Sequence, residues 1–130
     1  MKYSAAKQPT EHTEQVLFVQ WTLRMQKHVP ELGLMFAIPN GGKRSKFAAA
    51  RLKLEGVKSG VPDLMLPVAR QNCHGLFIEM KRIKDGSLSK NQKDFIAELR
   101  AQGYKVEVAE GFEKAKQIII DYFKGYKNAS

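Results

Sequence analysis

The chain has 130 residues, enough for one core but not two, and its 43% hydrophobic and 27% charged content is that of a folded globular domain, which excludes disorder along the whole length. Its 22 Lys and Arg against 13 Asp and Glu give a formal net charge of +9, an excess that points to a polyanionic partner: nucleic acid first, an anionic membrane surface second. No run approaches the roughly 20 apolar residues of a bilayer-spanning helix, Met1–Thr10 lacks the apolar core of a secretion signal, and the single cysteine, Cys73, excludes an internal disulfide and suits a reducing, cytoplasmic location.

In chain order, residues 1–10 are polar, include Pro9, and read as a loose arm. Thr10 is placed to cap a helix beginning at Glu11, with Glu14 in position for a looser capping arrangement. Leu17, Trp21 and Met25 recur at four-residue spacing beside Val16, Val19 and Leu23, which predicts a broad buried face running to about His28, before Pro30. Leu34 to Ile38 reads as a short strand broken by Pro39-Asn40-Gly41-Gly42. A basic helix follows from about Lys43 to Glu55, with Phe47, Ala50 and Leu54 expected on its core side and Gly56 as a left-handed cap. Pro62-Asp63 leads into a strand from Leu64 to Val68, a turn over Ala69 to Gly75, and a second strand from Leu76 to Lys81; so short a connection makes the two an antiparallel hairpin. Cys73 and His74 fall in that turn, and two adjacent residues do not make a zinc site. After the loop Asp85-Gly86-Ser87, Ser89 caps a helix from Lys90 to about Gln102 that buries Phe95, Ile96 and Leu99 and closes at Gly103. Tyr104 to Ala109 is a further strand, and Phe112, Ala115, Ile119 and Tyr122 or Phe123 mark a last helix. The order α-β-α-β-β-α-β-α predicts an α/β domain over residues 11–124, a central mixed sheet flanked by helices, with a short basic tail at 125–130.

The hairpin carries the chemistry. Alternate side chains of a strand share a face, so Phe77, Glu79 and Lys81 point one way and Leu76, Ile78 and Met80 the other. A carboxylate inside the apolar run Leu76-Phe77-Ile78-Glu79-Met80 is expensive unless paired or metal-bound. Asp63 stands at the start of the preceding strand, where the hairpin brings it near Glu79. Two carboxylates and a lysine suit phosphodiester hydrolysis: a hard cation such as Mg²⁺ prefers carboxylate oxygens, polarises the phosphate and generates hydroxide, while Lys81 orients that water or offsets charge on the phosphate. The plain alternative is a Glu79–Lys81 surface salt bridge.

Pro62-Asp63 followed by Glu79-Met80-Lys81 resembles the PD-(D/E)xK nuclease superfamily, and more closely its virus-type replication-repair nuclease branch, the VRR-NUC domain. The resemblance runs from Thr10 to about Phe123 and includes Glu11 with Gln15, Asn40-Gly41-Gly42, the segment from Gly56 to Leu64, and Leu88-Ser89-Lys90-Asn91-Gln92. It implies a restriction-endonuclease-like core. It further implies a Mg²⁺- or Mn²⁺-dependent DNA endonuclease acting on branched DNA such as Holliday junctions, as a homodimer, in the manner of the small stand-alone members from phages and bacteria. By the same resemblance, Asp63, Glu79 and the Met80 carbonyl hold the metal, Lys81 is the catalytic lysine, and an acid from the first helix completes the site: Glu11, one helical turn before Gln15, with Glu14 its rival. Gln92 belongs to the site by resemblance, but Ser89-x-x-Gln92 is also a capping box that would engage the same side chain. Asn40, Lys43 and Arg44 are candidate DNA contacts beside glycines that admit phosphate, and Lys58 and Ser59 candidates near the cut. His12 and His28 read as surface residues. A basic DNA-binding module without chemistry is the alternative, although it leaves the acid pair beside a lysine unexplained; an RNA-directed role ranks last, for want of an RNA-recognition aromatic motif.

Overall fold

Thr10 opens the first helix, α1 (Glu11–Met25), its side-chain oxygen accepting from the Thr13 N–H. The computed structural model describes residues 9–39, 44–84 and 86–128, the side chains of 125–128 excepted. A 3₁₀ turn over Pro30–Leu34 follows, then strand β1 (Phe36–Ala37), helix α2 (Lys46–Leu54), strands β2 (Leu64–Leu66) and β3 (Leu76–Lys81), helix α3 (Lys90–Ala101), strand β4 (Lys105–Glu110) and helix α4 (Phe112–Asn128). The four strands form one sheet in the order β1-β2-β3-β4. β1 and β3 are both antiparallel to β2, and β4 runs parallel to β3, which requires the crossover that α3 supplies.

β3 is paired on both edges and covered on both faces, so all six of its residues are buried. Leu76, Ile78 and Met80, with Leu64 and Leu66 of β2, enter the larger core, filled by Phe18 from α1 and by Ala115, Ile119 and Tyr122 from α4. Phe77 looks the other way and packs with Val106 and Ile96 beneath α3. Glu79 and Lys81 share the parity of Phe77 and therefore the face that α3 covers.

Several expectations fail here: α4 runs on to Asn128 through most of the expected tail at 125–130, β2 ends at Leu66 instead of Val68, and three further ones concern α1, β1 and α2. The inward stripe of α1 is Glu14, Phe18 and Thr22, whereas Val16, Leu17 and Leu23 are exposed and Trp21 and Met25 flank the core. The apolar residues of α1 lie all round it, so their spacing does not fix which side turns inward, and Thr22 is tolerated inside because its hydroxyl donates to the Val19 carbonyl at 2.7 Å. Only Phe36 and Ala37 of the expected first strand pair, because Pro30 starts a 3₁₀ turn through Leu34. α2 is shorter than expected, starting at its cap Ser45, and buries none of its residues; Phe47 and Leu54 are 80% and 90% exposed. Phe47, Ala50 and Leu54 have helical spacing, but among the described residues no element lies over them. Gly56, after α2, does take the left-handed conformation, at φ +101°.

Candidate active site

Asp63 immediately precedes β2, and the pairing of Leu64 with Ile78 sets it opposite Glu79 by continuation of the register. β2 contributes no residue to the regular ladder there. The Asp63 side chain takes its place, Oδ2 accepting from the Met80 N–H at 2.8 Å, while the Asp63 carbonyl accepts from the Ile38 N–H at 2.7 Å. This carboxylate is thereby held by backbone on β3, and its strand segment by backbone on the other side.

Glu79 is 2% exposed and Lys81 8%. Lys81 Nζ lies 3.5 Å from Glu79 Oε2, an ion pair buried under α3 rather than a surface salt bridge. Gln92, in the first turn of α3, joins both: Nε2 donates to Glu79 Oε2 at 2.9 Å and Oε1 accepts from Lys81 Nζ at 3.2 Å. The same Oε1 accepts from the Ser89 N–H at 2.9 Å, and Ser89 Oγ accepts from the Gln92 N–H at 3.2 Å, which completes the capping box. The two roles expected to compete for Gln92 therefore coexist, because a carbonyl oxygen has two lone pairs and the box uses one. Rotating the amide would set its NH₂ against two donors and its oxygen against a carboxylate, so the network fixes its orientation.

Among the described residues Glu79 Oε1 is buried with no hydrogen-bond donor, and the carboxyl it belongs to lies against that of Asp63. Burial, reinforced by the charge of Asp63 and opposed by Lys81, pushes the Glu79 carboxyl up to about 7. Burial also raises Asp63, against the pull of the Met80 N–H, and the Glu11 charge adds to the rise in both. Glu11 is thus exposed on α1 yet close enough for its charge to reach the pair. Glu14 is committed elsewhere: it is 5% exposed and its Oε1 accepts from the Phe112 N–H at 2.7 Å, across the chain at the start of α4. It does not take part in the cap of α1, where the Thr10 hydroxyl serves alone. Among the described residues no group of three or more His, Cys, Asp or Glu side chains is close enough to hold a metal ion; Asp63 and Glu79 form a pair, with Glu11 outside it. Two carboxylates, one bearing a buried oxygen with no hydrogen-bond donor among the described residues, are ligands of the kind a hard divalent cation takes.

Of the candidate DNA contacts, Asn40 and Lys43 lie outside the described residues. Arg44, Lys58 and Ser59 are exposed and line one cleft between α2 and α3. Ser59 Oγ accepts from Asn91 Nδ2 at 3.0 Å, tying the loop before Asp63 to the first turn of α3. Sequence reasoning gave Asn91 no role; its signal was its place inside the segment that carries Ser89 and Gln92. His12 and His28 are exposed, as expected.

The VRR-NUC domain family model matches residues 5–113. Among solved structures, one described as a VRR_NUC domain protein is 33% identical, with 91% of each chain covered and a TM-score of 0.78. No curated protein matches the chain. Among the described residues no helix is long and apolar enough to cross a membrane. With the domain match spanning both acids, the lysine and the glutamine, and with a solved relative sharing the fold at that identity, the chain belongs to the VRR-NUC family, a nuclease-type domain whose substrate is DNA.

Proposed function

We propose that the protein is a divalent-metal-dependent DNA endonuclease, with Mg²⁺ or Mn²⁺ as its ion, selective for branched, Holliday-junction-like DNA and acting as a homodimer in the cytoplasm. The observation that carries the reading is Glu79: one oxygen is held by Gln92 and Lys81, and the other is buried beside Asp63 with no donor among the described residues. A buried polar atom left unsatisfied costs about 1–3 kcal/mol, more when charged, and a cation shared with Asp63 offsets that cost. In this reading Asp63, Glu79 and the Met80 carbonyl hold the ion, with Glu11 approaching from α1. The bound ion would polarise the scissile phosphate and lower the pKa of its water. Lys81, steered by Gln92, orients the attacking water and offsets charge building on the phosphate. Arg44, Lys58 and Ser59, with Asn40 and Lys43 before α2, contact the DNA backbone. Branch selectivity and the homodimer are supported by the family resemblance, and a two-fold assembly supplies two sites for paired cuts.

The test is incubation of labelled four-way-junction, flap and plain duplex DNA with Mg²⁺ or Mn²⁺, beside an Asp63→Ala control. The expected outcome is metal-dependent cutting of the branched substrates, reduced on the order of 100-fold or more in Asp63→Ala. No cutting by the wild type with any divalent ion would sink the enzyme reading and leave the basic DNA-binding module. Equal cutting of duplex and junction would remove branch selectivity, and a monomer by light scattering would remove the dimer.

A further inference from the structure

The cleft between α2 and α3 measures about 770 Å³, within the roughly 300–1,000 Å³ range of clefts that hold small organic groups. From the α2 side it takes Leu52, Lys53 and Lys58, and from α3 Asp94, Phe95 and Glu98. Phe95 is the aromatic member, with the partly buried Leu52 and Val57 lining the same cleft. It is half-buried yet belongs to neither hydrophobic cluster, while Ile96 and Leu99 on the same helix pack towards the sheet. No other ring stacks on it among the described residues.

We propose that this cleft is a subsite for one unpaired nucleobase of the DNA, next to the acid pair. An aromatic ring outside the core, in a cleft bearing lysines, combines a stacking face for a base with cations for its flanking phosphates. Glu98 decides between an unpaired base and a duplex, with Asp94 already ion-paired to Lys90 at 2.7 Å. A duplex brings a phosphate strand along each side of its groove, and one strand would run against the Glu98 carboxylate. An unpaired adenine, cytosine or guanine presents an amino group that a carboxylate accepts from. The cleft also adjoins the chemistry: Ser59 and Asn91 line it and bond to each other, and the next residue, Gln92, touches Glu79 and Lys81. A base lodged there belongs to a nucleotide near the phosphate presented to the acid pair.

This inference rests on the reading of the site as DNA-directed, but its test needs no cleavage. In EDTA, the full chain is titrated with two DNAs of equal length carrying one 2-aminopurine, unpaired in a short gap in one and paired in the other. The gapped DNA binds about tenfold tighter and its fluorescence is quenched on binding. Phe95→Leu keeps apolar volume but no ring face and loses the preference and the quenching; Phe95→Trp retains both. Phe95→Leu is chosen over Phe95→Ala so that folding is preserved, checked by an unchanged thermal melt. Equal affinity of the wild type for both DNAs, or a wild-type preference persisting in Phe95→Leu, overturns the subsite. Metal-dependent cutting is assayed in parallel. Cutting without any Phe95-dependent preference overturns the subsite alone, and a Phe95-dependent preference without cutting overturns the nuclease reading alone.

Discussion

Glu79 is an acid in a position where burial opposes its charge. Its folded value of about 7 lies above its ordinary 4.5, and Asp63 is raised in the same direction. The folded metal-free chain therefore holds these protons more tightly than the unfolded chain does. Their contribution to stability is full below the ordinary carboxylate range and is lost as pH rises through about 7. Urea unfolding of the metal-free protein should show stability falling by on the order of 2–3 kcal/mol between pH 5 and pH 8. Mg²⁺ should restore part of it at pH 8 and little at pH 5, because protons and cation compete for the same oxygens. Glu79→Gln should flatten the pH profile, abolish the Mg²⁺ effect and abolish cutting; a profile as steep as wild type would assign the pH dependence to other groups. Much of this residue-scale picture was legible in sequence. The two-residue offset of Glu79 and Lys81 inside an apolar strand dictates a shared, buried face. That Glu14 turns inward to the start of α4 while Glu11 stays exposed was not legible, because the two differ only in which way α1 is rotated, and packing against α4 sets that rotation.

At the scale of elements, the first turn of α3 organises the site. Ser89 caps it, Asn91 holds the loop before Asp63, and Gln92 holds Glu79 and Lys81. Gln92→Glu keeps the capping box, since a glutamate serves equally at that position, but replaces the donor facing Glu79 by a second carboxylate. Thermal stability at pH 5 should change by less than about 1 kcal/mol while cutting at pH 8 falls on the order of tenfold or more; wild-type rates would show that the bond from Gln92 to Glu79 is incidental. Gly60 is the second element-scale test. Its φ of +89° favours glycine, and an added Cβ would lie 2.6 Å from the Asn91 carbonyl oxygen, a backbone atom with little room to yield. Gly60→Ala should cost about 2–4 kcal/mol by chemical denaturation and slow cutting by displacing the Ser59–Asn91 bridge; a neutral substitution would mean the loop is not pinned to α3. The capping box itself was readable from Ser89 and Gln92. Its coupling to Glu79 was not, because no local pattern says that the start of α3 lies over the Glu79 face of β3.

For the whole molecule, the net charge of +9 sets the mode of association with DNA. Binding should weaken steeply with salt, since each neutralised phosphate releases counterions. Lys58→Ala should lower the slope of log affinity against log salt by about 1 if Lys58 meets a phosphate. An unchanged slope, measured by fluorescence anisotropy in EDTA, would move that lysine out of the interface. The exposed apolar side chains Leu34, Phe36, Phe47 and Leu54 were not legible as exposed. Periodicity shows that a helix or strand has an apolar side, while the presence of an element to cover that side is a property of the assembled fold.

The sequence by itself determined the element order, the antiparallel hairpin, the shared face of Glu79 and Lys81, the cap at Ser89 and the basic character of the chain. These follow from interactions between near neighbours: strand alternation, turn length and capping are local. Only the tertiary structure decided that α3 closes over the acid–lysine pair, that Gln92 serves cap and site together, that Glu14 is spent on the start of α4, and that Phe95 faces a cleft instead of the core. Those depend on which faces of distant segments meet, a choice made by burying the most apolar surface at once across the sheet and its helices.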